Sequence, residues 1–217
     1  MRYKAVLFDM DGTVLDTLAD LTNAVNHILS AYSMPRITQR DAAAFLGNGA
    51  AYLLRKAVPP GTPEETLREM LGVYQPWYDS HCAILTAPYP GIVPLMEALR
   101  AAGVKQAVIS NKQDSAVKRL AEEHFPGLLE TAVGESATVR RKPNPDAVLA
   151  ALREMDISPE EAVYVGDTEV DLRTAENACL DCAAVGWGFR TEAELLAAGA
   201  GHVFHSAEEL GAWLLGD

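Results

Sequence analysis

The chain has 217 residues, 49% of them hydrophobic, and carries 30 acidic against 18 basic side chains for a formal net charge of −12. That length suits one large domain, or a domain with a sizeable insertion, and the apolar content is ample for a packed core. The charge, with no Lys/Arg cluster, argues against nucleic-acid binding, and no apolar run approaches the roughly 18 residues of a membrane span.

An anionic substrate would therefore have to meet local positive charge, a metal ion or backbone N–H groups. Met1-Arg2-Tyr3-Lys4 leads directly into a strand pattern, so no secretory signal is read. Cys82, Cys179 and Cys182 make an odd set, which points to reduced thiols and a cytoplasmic setting. Cys179-x-x-Cys182 has no second pair or nearby His to complete a zinc or redox site and is read as packing.

In chain order, the first strand is expected over Tyr3–Phe8. It ends in Asp9-Met10-Asp11-Gly12-Thr13, two carboxylates two residues apart followed by a Gly that permits a tight turn and by a hydroxyl. Acids at the carboxyl end of a parallel strand face the crevice where α/β proteins bind ligands. They repel each other unless a cation or a shared proton relieves them. Taken alone, the segment reads equally well as a polar Asp-Gly turn.

From Leu18 to Thr86 only helical patterns occur, over Leu18–Tyr32, Thr38–Phe45, Ala50–Val58 and Pro63–Ser80. Turn signals separate them at Ser33-Met34-Pro35, Gly47-Asn48-Gly49 and Pro59-Pro60-Gly61. Thr62 is expected to cap the last helix, with Pro63 in its first position and Glu64 and Glu65 at its positive end. The pattern predicts a helical cap at 17–87, hinged at Leu15–Thr17 and Ala87–Gly91 and inserted into a core made of 1–16 and 88–217. Further strands are expected at Gln106–Ser110, Thr131–Val133, Ala162–Gly166, Cys182–Gly186 and, more weakly, Gly201–Phe204. Helical patterns at Val93–Ala102, Ser115–His124, Asp146–Met155, Val170–Asn177, Thr191–Ala198 and Ala207–Leu215 alternate with them, the signature of a parallel sheet covered on both faces.

Polar groups stand at corresponding places after these strands. Ser110-Asn111-Lys112 follows Ala107-Val108-Ile109, Arg141-Lys142-Pro143 precedes the helix near Asp146, and Gly166-Asp167-Thr168-Glu169-Val170-Asp171 follows Val163-Tyr164-Val165. Right-handed crossovers bring such strand ends to one edge of the sheet. Singly, each has an ordinary reading: Ser110 and Asn111 as caps of the helix at Ser115, Lys142 as a solvated lysine, Asp167 and Asp171 as acids of a first helical turn. Jointly, and in strand-end register with Asp9 and Asp11, they point to one site.

The motif order Asp9-x-Asp11-Gly12-Thr13, Ser110, Lys142-Pro143, Gly166-Asp167-x-x-x-Asp171 resembles the haloacid dehalogenase superfamily of phosphatases over essentially the whole chain. Within it the chain is most similar to phosphoglycolate phosphatases, through Leu46-Gly47-Asn48-Gly49-Ala50, Tyr89-Pro90-Gly91-Ile92, Ser110-Asn111-Lys112, Lys142-Pro143-Asn144-Pro145 and Val165-Gly166-Asp167. The resemblance implies an α/β fold, a Rossmann-like parallel sheet core with an inserted helical cap domain. It implies a Mg²⁺-dependent phosphatase acting on a small phosphomonoester through an aspartyl-phosphate. Asp9 would be nucleophile and metal ligand, Asp11 would be acid/base and give its main-chain carbonyl to the metal, and Asp167 would give a carboxylate. Asp171 would orient a bound water or Lys142, and Ser110 and Lys142 would bind the transferring phosphoryl group, aided by Thr13 and Asn111. A dehalogenase would be expected to lack the acid at position 11.

For the substrate, Gly47-Asn48-Gly49 could present N–H groups and an amide to a carboxylate, or could be a plain interhelical turn. Lys112 could help with a carboxylate or be an ordinary exposed lysine, and Arg190 could approach the crevice rim. The cationic cap residues Arg36, Arg40, Arg55 and Lys56 are read as solvated faces, which weakens a mutase reading that needs a second phosphate site. His27, His81, His124, His202 and His205 lack ligand spacing. Phosphoglycolate is the expected substrate. Sugar phosphates, nucleotides, pyrophosphate, a mutase reaction and a non-catalytic binding protein are the alternatives, and both a monomer and a dimer stay open.

Overall fold

The computed structural model describes residues 2–216. Strand β1 (Ala5–Phe8) and a two-residue β2 (Leu15–Asp16) lead into four helices, α1 (Leu18–Ala31), α2 (Gln39–Phe45), α3 (Gly49–Ala57) and α4 (Glu64–His81). A second short strand, β3 (Ala87–Pro88), brings the chain back to α5 (Ile92–Ala101), β4 (Lys105–Gln113), α6 (Asp114–His124) and β5 (Thr131–Glu135). There follow α7 (Asp146–Met155), β6 (Ala162–Gly166), α8 (Glu169–Ala178), β7 (Asp181–Val185), α9 (Glu192–Ala197), β8 (Val203–Phe204) and α10 (Ala207–Leu215).

The main sheet has the order β5-β4-β1-β6-β7-β8, and every pairing in it is parallel. The run Ala5-Val6-Leu7-Phe8 is apolar throughout because both faces of β1 are covered. Val6 and Phe8 join one apolar cluster, with residues of α5, α6 and α10, and Ala5 and Leu7 join another, with residues of α7 and α8. β6 divides the same way, Val163 and Val165 to the first face and Ala162 and Tyr164 to the second. This two-residue period in a fully apolar strand is what a doubly covered parallel sheet requires. Each large side chain so buried, Phe8 or Leu7 for example, contributes roughly 1.5–3 kcal/mol relative to exposure. The chain leaves β1 toward β4 on one side and β6 on the other, so the crevice of the sheet opens at the carboxyl end of β1.

The four inserted helices pack on one another, and their interior is continuous with the sheet. Leu21, Val25 and Ile28 of α1, Leu53 of α3 and Met70, Tyr74 and Tyr78 of α4 belong to the same cluster as Phe8 and Met10. The buried carboxylate of Asp20, in α1, accepts the backbone N–H groups of Ile84, Leu85 and Thr86 at 3.0, 2.9 and 2.9 Å. It also accepts the Thr86 hydroxyl at 2.9 Å, tying α1 to the returning chain. Among the described residues no helix is long and apolar enough to cross a membrane.

Three local features differ from the sequence reading. The hinges pair as an antiparallel ribbon, Leu15 with Pro88 and Asp16 with Ala87, too short to leave a periodic signal. β4 continues through Ser110-Asn111-Lys112 to Gln113, with its register shifting after Ile109, so these residues sit in the irregular end of a strand. α6 consequently starts at Asp114 with Gln113 as N-cap and no side-chain cap, which leaves Ser110 and Asn111 free for other partners. Thr62 does not cap α4: its hydroxyl donates to the Pro59 carbonyl at 2.7 Å and Pro63 takes the N-cap position.

Candidate active site

Asp9 leaves β1 with its N–H donated to the Val165 carbonyl of β6 at 2.8 Å, which sets its side chain at the switch point. Its Oδ1 accepts the Met10 N–H at 2.6 Å and the Lys142 ammonium at 2.8 Å. Its Oδ2 accepts no hydrogen bond among the described residues, and Asp9 borders the cavity below. Lys142, in the loop between β5 and α7 and followed by a cis Pro143, also donates to Asp171 Oδ1 at 2.7 Å and to the Tyr164 hydroxyl at 3.1 Å. Asp171 stands in the first turn of α8 and accepts the Thr168 N–H and hydroxyl on its other oxygen, at 3.0 and 2.8 Å. Asp167, at the end of β6, accepts the Thr13 hydroxyl at 3.1 Å and the Phe189 N–H at 2.7 Å.

One carboxylate oxygen each from Asp9, Asp167 and Asp171 lie within 4.8 Å of one another, all three residues buried. Burial pushes the Asp9 carboxyl up to about 7; the Asp171 charge adds to this and Lys142 opposes it. Asp167 is held well above the usual carboxylate range by burial and then by Asp171 and Asp9. Burial pulls Lys142 down, but Asp171 and Asp9 outweigh it, so its ammonium stays charged with a pKa well above the ordinary value. Three carboxyls are thus crowded together in a buried centre with one lysine beside Asp9 and Asp171, a repulsion that a cation would relieve. An oxygen-only donor set of this kind fits a hard divalent cation.

The loop after β7 closes this centre from the far side. A Cβ at Gly188 would come within 2.3 Å of Asp167 Oδ2 and 2.4 Å of the Gly12 carbonyl, so only glycine lets the loop approach. The adjacent Trp187 indole N–H donates to the Thr13 carbonyl at 3.0 Å. The sequence points to Arg190 of this loop as a rim residue and gives Trp187 and Gly188 no role. Their only signal was a Gly between two aromatics just past a strand end.

A cavity of about 410 Å³ opens between sheet edge and inserted helices. Asp9, Asp11, Ser110, Asn111, Lys112 and Lys142 border it from the sheet, and Gly47, Gly49, Leu53, Tyr74, Gln75 and Tyr78 from the insertion. Asp11 Oδ1 accepts the Thr17 hydroxyl at 2.6 Å and the Lys112 ammonium at 2.9 Å. Ser110 Oγ accepts the Lys112 N–H at 3.2 Å, leaving its own proton to donate. Thr13 is fully buried with its hydroxyl committed to Asp167, and Asn48 stands outside the cavity lining, its carbonyl facing Arg141 Nη1 at 3.3 Å. Asn111 Nδ2 donates to the carbonyls of Gly47 and Lys142, both at 3.0 Å.

Two basic side chains lie elsewhere than their composition suggests. Lys112 is buried, its ammonium 4.4 Å from the centre of the Tyr78 ring and hydrogen-bonded to the Tyr78 hydroxyl. Arg190 reaches past the rim to the insertion. It pairs with Glu169 at 2.9 Å and donates to the Ala43 and Leu46 carbonyls, each at 3.0 Å, at the end of α2.

A doubly covered parallel sheet with buried acids at its switch point defines an α/β enzyme with a polar, cation-ready centre. Residues 6–185 match the model of the haloacid dehalogenase-like hydrolase family, and the chain belongs to that family. It is a hydrolase whose curated relatives include phosphatases. It is 34% identical over 193 residues to phosphoglycolate phosphatase 1 of Pseudomonas aeruginosa, covering 86% of this chain and 70% of that one. It is 30% identical to the N-acetylmuramic acid 6-phosphate phosphatase of the same organism, over 87% of this chain and 84% of the other. A crystal structure from Lactobacillus delbrueckii subsp. bulgaricus, solved as a candidate phosphoglycolate phosphatase, superposes with a TM-score of 0.94 at 38% identity, with 100% of both chains covered.

Proposed function

We propose that the chain hydrolyses a small phosphomonoester by attack of Asp9 on phosphorus, beneath a cap formed by residues 17–87. The observation that carries this reading is the asymmetry of the Asp9 carboxylate. One oxygen is held by Met10 and Lys142, the other accepts no hydrogen bond among the described residues, and Asp9 borders the cavity. Asp9 and Asp167, with the main-chain carbonyl of Asp11, would hold Mg²⁺, and Asp171 would steady the cluster through Lys142 and Thr168. When bound, the ion offsets the charge of the phosphate dianion and orients it.

Asp9 Oδ2 forms a bond to phosphorus as the ester oxygen departs, giving an aspartyl-phosphate and splitting one hard displacement into two easier ones. Asp11 gives a proton to the leaving oxygen and later takes one from the attacking water. The Ser110 hydroxyl donates to a phosphoryl oxygen. The Lys142 charge lies beside the same group in a dry site, where fixed charge is most effective. Thr13 and Asn111 act at one remove, Thr13 through Asp167 and Asn111 through Lys142.

The names of the relatives favour 2-phosphoglycolate as substrate. A broader phosphomonoester phosphatase is the second reading, favoured by a cavity of about 410 Å³ and by the relative named for a sugar phosphate. Phosphate release from phosphoglycolate, sugar phosphates, nucleotides and pyrophosphate, with Mg²⁺ or EDTA, tests both. We expect Mg²⁺-dependent release with phosphoglycolate foremost. Release that persists unchanged in EDTA would contradict the metal assignment.

A further inference from the structure

The two ammonium groups that border the cavity differ in what they have left to donate. Lys142 directs its three N–H bonds to Asp9, Asp171 and Tyr164. Lys112 hydrogen-bonds the Tyr78 hydroxyl and ion-pairs with Asp11 and has no third partner among the described residues, so at least one N–H of a buried cation remains at the cavity wall. Its charge is held in place from both sides, by Asp11 of the core and by the Tyr78 ring of α4, with the Tyr74 ring parallel to that of Tyr78 at 5.6 Å. Glu135, the one lining acid besides Asp9 and Asp11, stands near Gly49.

The position of this free N–H selects a kind of ligand. Lys112 is bonded to Asp11, the residue that serves the leaving oxygen in the mechanism above, so it stands next to the carbon that carries the ester. An anionic group on that carbon can accept the third N–H while the phosphate sits between Asp9 and the Ser110 hydroxyl. The Tyr74 and Tyr78 rings make the wall beside it less polar, and a charge-assisted hydrogen bond is stronger there.

We propose that Lys112 is the specificity-determining residue and that it receives a carboxylate on the carbon bearing the phosphate, which makes phosphorylated 2-hydroxy acids the preferred substrates. This rests on the phosphatase reading above. The test compares 2-phosphoglycolate with 2-hydroxyethyl phosphate, which has the same carbon count and no carboxylate, in the wild type and in Lys112→Met, Lys112→Gln and Lys112→Arg. The wild type is expected to prefer phosphoglycolate in kcat/KM by at least about tenfold, the worth of one charge-assisted hydrogen bond. The preference should collapse toward unity in Lys112→Met and Lys112→Gln, whatever both substrates lose in common through Asp11, and return in part in Lys112→Arg.

A preference that survives in a folded Lys112→Gln overturns the assignment. So does a wild type that hydrolyses the two esters equally, a readout that needs no variant to fold. Failure of the wild type to release phosphate from either ester would instead overturn the phosphatase reading.

Discussion

Both ends of the Asn111 amide hold the backbone of Lys142: Oδ1 accepts its N–H at 2.7 Å and Nδ2 donates to its carbonyl at 3.0 Å. One side chain at the irregular end of β4 thereby sets the loop that delivers the ammonium to Asp9 and Asp171. Asn111→Ala is expected to lower kcat about 10- to 100-fold, as losing the partner that orients an active-site group does, with a smaller change in KM. It should also cost about 1–3 kcal/mol in denaturant unfolding, because buried polar groups of the Lys142 backbone lose their partner. Unchanged kcat would mean that the Lys142 loop holds itself.

Gly188 bears on Asp167 by contact alone. An added methyl would overlap the carboxylate oxygen that accepts the Phe189 N–H, so either the loop or Asp167 must move. Gly188→Ala should weaken Mg²⁺ binding at least about tenfold in a calorimetric titration, by disturbing the groups that orient a metal ligand. Equal affinity in the two proteins would remove the loop from the account.

Burial of the Asp9 carboxyl sets the sign of a pH dependence. With its pKa raised to about 7 by burial, Asp9 favours the fold in its neutral form. That contribution is complete below the unfolded pKa near 4 and is lost as pH rises through about 7. Asp9→Asn cannot ionise, and Lys142 keeps Asp171 as a partner. In EDTA the variant's advantage in unfolding free energy should therefore grow from about pH 4.5 to about pH 8, reaching on the order of a few kcal/mol at most. Added Mg²⁺ should narrow it by binding the wild type. A gap that stays flat across this range would contradict the burial argument.

The sheet was legible because its central strands carry short apolar runs that end in polar groups, Ala5–Phe8 before Asp9 and Ala162–Gly166 before Asp167, and the candidate site because such polar groups fall at corresponding strand ends. What escaped the sequence was of two kinds. Two-residue elements such as Leu15–Asp16 carry no period. Buried polar side chains inside helices or strands look like solvated ones until their partners are known. Asp20, in the first turn of α1, collects three N–H groups from residues 84–86, partners no local pattern marks. Lys112 reads as an exposed lysine because its partners, Asp11 and Tyr78, lie 101 and 34 positions away. The sequence places Thr13 and the N–H groups around Asn111 near the phosphoryl group, and it gives no sign that the two side chains engage Asp167, Lys142 and Gly47.

The central claim is that Asp9 becomes covalently phosphorylated. Rapid acid quench of the enzyme with 2-phosphoglycolate and Mg²⁺, followed by peptide mass spectrometry, tests it most directly. The account predicts one added phosphoryl group on the peptide carrying Asp9, labile to hydroxylamine, absent in EDTA and absent in Asp9→Asn together with all turnover. Turnover by Asp9→Asn, or a phosphoryl group found on another residue, would contradict it.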